Sequence, residues 1–220
     1  TSDPGTWYIS TFYDGDQPIQ ASPSLALDES GLLNIYFGTG KYTEATDLNN
    51  NEQQAFYCLR DDGTFSTISK SDLIQSSGDD VDSEGWSGWY RNLIFGGGER
   101  VTEPAVIIEG VVYFTSFKPS NAICSAGGDS YLYHIDYRNG VKVDSDDDGD
   151  LGDESVAEAL GRGVASRPVV NLAAEELIVQ TSDARLNVQD LLLGPQRIRV
   201  RAWRQQFQTA TTAETQETGQ

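Results

Sequence analysis

The chain has 220 residues with one His, two Cys and no Met, and 34 Asp and Glu against 15 Lys and Arg set its formal charge at −19. That length builds one domain, or two small ones, around a sizeable core. The charge excludes nucleic acid and anionic membrane as main partners, the His and Cys counts exclude multi-His and Cys-rich metal centres, and no apolar run reaches the length of a membrane span.

Short β-type runs follow one another along the chain, at residues 6–12, 32–37, 55–59, 106–114, 131–135, 176–181 and 197–203. Clusters of Gly, Asp and Asn bound most of them, as turns require. Within 131–136, alternation puts Tyr131, Tyr133 and Ile135 on one face and Leu132, His134 and Asp136 on the other. Helical spacing is confined to 155–160 and 172–177, two turns each at most. The pattern is all-β.

A unit recurs three times. It starts at Pro23, Pro104 and Pro168, passes through a turn, and continues as an apolar run: Ile35-Tyr36-Phe37, Val112-Tyr113-Phe114, then Leu177-Ile178-Val179. The first two units add an aromatic strand that closes on an Asp and a Gly, at Gly63 and Gly140. This is the signature of blades: an inner strand after the Pro, a tight turn, an aromatic strand, and a Gly turn with positive φ. A single sheet cannot bury both faces, so blades stack. Three to four blades with long loops form a partial propeller over residues 1–207. That number does not close a ring, so this is the last part of a longer propeller, or a partner supplies the rest, or the sheet is open. Residues 208–220 read as a flexible polar tail.

The sharpest chemical motif is the acidic stretch at 144–154. Asp144, Asp146 and Asp148 occupy positions one, three and five, Gly149 position six, and Asp150 position seven. That is the opening of a calcium loop, in which alternate carboxylates converge on one hard cation. Position twelve is Ser155 rather than Glu, so Asp153 or Glu154 must close the shell. The expected ligands are Asp144, Asp146, Asp148, Asp150 and Asp153, and the cofactor is calcium. The plainer reading is a solvated acidic hairpin. The second acidic cluster, Asp79, Asp80, Asp82 and Glu84, lacks the spacing and reads as a solvated loop.

Other signals are weaker. Cys58 and Cys124 are either two buried thiols or one disulfide closing a loop of roughly 65 residues. His134 lies within a patterned strand and no Gly-x-Ser-x-Gly elbow exists, so it reads as a strand histidine rather than a catalytic base. Gly96-Gly97-Gly98 reads as a turn. Trp86 and Trp89 suit packing between blades, with sugar stacking as the alternative. Arg197, Arg199 and Arg201 make one cationic strand face, suited to acidic neighbours or an acidic partner.

The strings Gly88-Trp89-Tyr90-Arg91-Asn92-Leu93, Gly98-Glu99-Arg100-Val101-Thr102-Glu103-Pro104 and Gly110-Val111-Val112-Tyr113-Phe114-Thr115 resemble the PilY family of exported proteins at the tip of type IV pili. Ile35-Tyr36-Phe37-Gly38-Thr39-Gly40 and Arg199-Val200-Arg201-Ala202-Trp203 extend the match over nearly the whole chain. The resemblance implies a quinoprotein-like β-propeller, a role in pilus extension and surface attachment, and calcium-linked regulation. It implies minor pilins or a pilus-tip complex as partners and an extracellular or cell-surface location. The expected function is therefore a non-enzymatic calcium-binding propeller module. The alternatives are a quinone-dependent dehydrogenase, for which the chain looks too short to build the funnel, and a secreted carbohydrate-binding module using Trp86 and Trp89.

Overall fold

The computed structural model describes residues 10–64, 66–77, 87–120, 127–144, 150–151 and 154–192. In chain order the strands are β1 (Tyr13–Asp14), β2 (Ser24–Leu27), β3 (Leu33–Gly38), β4 (Ala55–Asp61), β5 (Ile68–Ser69), β6 (Ile74–Gln75), β7 (Gly88–Asn92), β8 (Val106–Ile108), β9 (Val111–Pro119), β10 (Gly128–Asp136), β11 (Ala157–Arg162), β12 (Val169–Asn171), β13 (Glu176–Gln180) and β14 (Leu186–Asp190). Two 3-10 turns, Ala45–Asn49 and Lys70–Asp72, are the only helical pieces among the described residues.

The strands form three blades. The first is the antiparallel meander β2-β3-β4-β7, with β6 parallel to β7 on its outside; the second is β8-β9-β10-β11; the third is β12-β13-β14. Each blade opens just after the Pro of its repeat. Within a blade, residues opposite one another share a face, so the ladders sort the side chains. Tyr36 stands beside Cys58, and Cys58 beside Trp89. Val112 stands beside Ile135, and Phe114 beside Tyr133. These two faces meet in the core between the first and second blades, where Phe56 stacks on Phe114 at 3.9 Å. The opposite face of the second blade, with Val111, Tyr113 and Leu132, packs on Leu177 and Val179 of the third. The division of 131–136 into two faces thus holds, and each face serves a different core.

The back of the first blade, with Phe37, Tyr57 and Leu59, is covered by Phe12, Tyr13, Ile68 and Leu73. The inner strands of the first two blades are also tied directly, because Ser24 Oγ donates to the Ala105 carbonyl at 2.7 Å.

The apolar run at 106–114 is two strands. Glu109 and Gly110 both take positive φ (50° and 83°), the two-residue hairpin turn that follows the twist of its strands. The Gly turns expected at the blade ends are present, with φ 76° at Gly63 and 70° at Gly140.

Both helical expectations are overturned. Residues 157–162 are the outer strand β11 and residues 172–175 a turn ahead of β13. Ala157 and Leu160 look like one helix face because they are three apart. In a strand, three apart means opposite faces, and Ala157 enters the first core while Leu160 enters the second. A blade buried on both sides therefore imitates helical spacing.

Candidate functional site

The acidic stretch is carried by the connection from β10 to β11. Strand β10 ends in a turn closed by Asp136 N to Val141 O at 3.0 Å and Gly140 N to Asp136 O at 2.9 Å. Buried Asp136 accepts from Arg138 N at 2.7 Å and pairs with Arg138 Nη2 at 2.8 Å. The turn is fastened to the neighbouring blade at three points. Tyr36 Oη donates to the Tyr137 carbonyl at 2.9 Å, Arg91 Nη1 donates to the Gly140 carbonyl at 2.8 Å, and the Gly140 backbone lies against the Trp89 indole.

Past the turn, Val141 and Val143 are buried. Between them Lys142 reaches across and its Nζ donates to the Leu151 carbonyl at 2.8 Å. This bond ties the chain just before residues 144–150 to the chain just after them. Beyond it the chain rejoins β10, with His134 N donating to Val156 O at 3.0 Å and Ala157 N donating to Ser155 Oγ at 3.2 Å.

Of the expected ligands, Asp144 is half-buried at the start of the stretch and Asp150 exposed at its end. Asp146, Asp148 and Asp153 lie outside the described residues. Among the described residues no three His, Cys, Asp or Glu are grouped as a metal site. The side chains of Asp144 and Asp150 are carboxylates, the hard oxygen donors that calcium takes.

The remaining singled-out residues are placed as follows. His134 is buried, and burial lowers its pKa against the pull of Glu158, Glu154 and a hydrogen bond to the Ser155 backbone. It is a buried strand histidine. Cys58 is a buried free thiol whose Sγ lies 3.8 Å from Asn34 Oδ1, and burial pushes its pKa up to about 12. Cys124 lies outside the described residues, as do Trp86, Arg197, Arg199 and Arg201. Trp89 is 1% exposed and sits in the core between blades, edge-on to Tyr36. Packing between blades is its use, and it has no face to offer a sugar.

Sequence reasoning assigned no role to Glu99 and Arg100, both buried. Glu99 Oε1 accepts from Ser116 Oγ at 2.5 Å and Tyr133 Oη at 2.7 Å, and Oε2 accepts from Phe95 N at 2.8 Å. Burial raises its pKa. Arg100 donates to the carbonyls of Gly98, Lys41, Asp47 and Asn50. It thereby pins the 41–50 segment, whose Asp47 carboxylate receives Thr43 N and Glu44 N and pairs with Lys41. The signal was the glycine run. A Cβ at Gly97 would come within 2.3 Å of the Asn51 carbonyl, so these glycines admit a backbone approach rather than merely a turn.

No family model matches the chain. Two proteins of Xylella fastidiosa, each described as a type IV pilus biogenesis factor PilY1 homolog, are similar. One is 28% identical over 145 residues, covering 56% of this chain and 10% of its own length; the other is 27% identical over 155 residues, covering 62% and 13%. The chain thus spans about a tenth of the length of these relatives. The crystal structure of the Pseudomonas aeruginosa PilY1 C-terminal domain superposes with a TM-score of 0.55 at 20% identity, over 79% of this chain and 45% of that one. The blades described above are therefore those of a β-propeller-like fold. The chain is a relative of the PilY1 homologues in sequence and shares its fold with the PilY1 C-terminal domain, the resemblance its strand motifs carry.

Proposed function

We propose that this chain is a non-enzymatic propeller module of a pilus-associated surface protein, acting in type IV pilus biogenesis and tuned by calcium at the 144–154 stretch. The biogenesis role is supported by the names of its relatives, which describe a biogenesis factor. Among the described residues no helix is long and apolar enough to cross a membrane. The partners of the module are minor pilins or another component of the pilus tip, and further blades from the same or another chain complete the ring.

The observation that carries the calcium reading is the bond from Lys142 Nζ to the Leu151 carbonyl, which ties the chain on either side of residues 144–150. Calcium binding neutralises the acidic stretch and rigidifies it, and Lys142 directly follows the turn fastened on Tyr36, Trp89 and Arg91. A cation at the loop thus stabilises the junction between the first two blades. Calorimetry with calcium on chelator-stripped protein, with melting in parallel, tests this. One-site binding and a raised Tm are expected, both lost in the Asp144→Asn, Asp146→Asn double variant. Equal stabilisation of that variant would sink the calcium reading and leave the pilus reading on sequence and fold alone.

A further inference from the structure

A cavity of about 560 Å3 opens on the back of the first blade, far along the chain from the acidic stretch. Its size is that of a small-ligand pocket. The floor is buried Tyr57. One wall is the turn after β1, with half-buried Tyr13 and exposed Asp14 and Asp16; the facing wall is the start of the 3-10 turn, with Lys70 and Ser71.

The rim is built rather than loose. Gln17 Nε2 donates to the Gln53 carbonyl at 2.7 Å, Thr39 Oγ1 donates to Gln17 Oε1 at 3.2 Å, and Gln53 Nε2 donates to the Leu93 carbonyl at 2.8 Å. Gly15 is packed on the Tyr13 ring, where a Cβ would come within 2.4 Å of Cε1, so the wall holds the ring in one place. Within this frame the charged groups are unspent. Among the described residues Asp14 and Asp16 have neither a hydrogen-bond donor nor a cation on their carboxylates. Lys70 has no carboxylate partner among the described residues and rests over the Tyr90 ring at 4.4 Å and the Tyr57 ring at 5.8 Å.

The chemistry of the walls selects the guest. Glu52 adds a third carboxylate, so an anion is repelled, in a chain already at −19. A metal ion would use the carboxylates but face the Lys70 ammonium. A neutral polyhydroxy ring uses everything. Its hydroxyls donate to Asp14 and Asp16 and accept from Lys70 and Ser71, and its C–H face lies on Tyr13. We propose that this cavity is a saccharide-binding site for a neutral pyranose unit, unrelated to Trp86 and Trp89 and independent of the calcium stretch.

The test is a glycan array followed by titration of any retained neutral saccharide, on the full chain with chelator present. Expected are saturable binding by the native chain, at least a tenfold loss in the Asp14→Asn, Asp16→Asn double variant and in Lys70→Met, and an unchanged Tm in both. Gly15→Ala should weaken binding by displacing the Tyr13 ring. Binding that persists in Asp144→Asn separates this site from the acidic stretch. Absence of any neutral glycan, binding of cations alone, or binding untouched by the three cavity variants would each overturn the proposal.

Discussion

Gly140 lies flat against the Trp89 indole, and a Cβ at residue 140 would come within 2.6 Å of Cε3. The contact joins the turn after β10 to the blade before it. It makes a glycine that closes a hairpin serve also as a packing residue between blades, with Arg91 Nη1 bonded to its carbonyl on the same side.

Gly140→Ala therefore carries two penalties, the left-handed conformation at φ 70° and the collision with Trp89. Together they cost about 2–4 kcal/mol. Gly63→Ala is the control. It has φ 76° but nothing within 4 Å of its Cβ, and should cost about 1 kcal/mol. Denaturant unfolding of both variants reads the difference, and equal losses would remove the packing role of Gly140.

Two buried titrating groups pull the stability in opposite directions with pH. The Glu99 pKa is raised by burial above its ordinary 4.5, so the folded state binds the proton more tightly. Its contribution to stability falls as pH rises from about 4.5 through the folded pKa. The His134 pKa is lowered from 6.5, so the unfolded state binds the proton more tightly. Its contribution is complete above pH 6.5 and is lost as pH falls below that value. Glu99→Gln should flatten the first slope and His134→Gln the second, each against the native curve measured between pH 4 and 8. Glu99→Gln should also cost about 1–3 kcal/mol, because an amide oxygen cannot serve all three donors that the carboxylate accepts.

Arg100→Lys keeps the charge and loses the fork that spans the carbonyls of Lys41, Asp47 and Asn50. The 41–50 segment should open locally. Hydrogen exchange should show the Thr43, Glu44 and Asn50 amides losing protection by at least tenfold, while β9 and β10 keep theirs. Uniform loss across the blades would mean that Arg100 supports the whole fold rather than this segment.

Lys142→Met removes the donor to Leu151 and a positive charge from the base of the acidic stretch. In chelator the variant should melt earlier, by more at 20 mM salt than at 500 mM, because repulsion among the acids is screened at high salt. A shift independent of salt would assign Lys142 to packing alone.

The blade pattern was legible because it is local. Pro starts the inner strand, alternation marks the faces of β10, and Gly63 and Gly140 take the positive φ that their turns need. The chemistry was legible only in part. Glu99 and Arg100 stand in a string that looks like any polar loop, and nothing local tells that Ser116, Tyr133 and four backbone carbonyls converge on them.

By itself, then, the sequence determined an all-β chain of stacked units, since backbone periodicity and turn chemistry act over a few residues. The tertiary structure decided which face of each blade meets which neighbour. It made β11 a strand where spacing read as helix, because both faces of the second blade are buried. It closed Trp89 away from solvent and set Asp14, Asp16 and Lys70 around one cavity. Those outcomes depend on contacts between residues tens of positions apart, and only the folded chain brings them together.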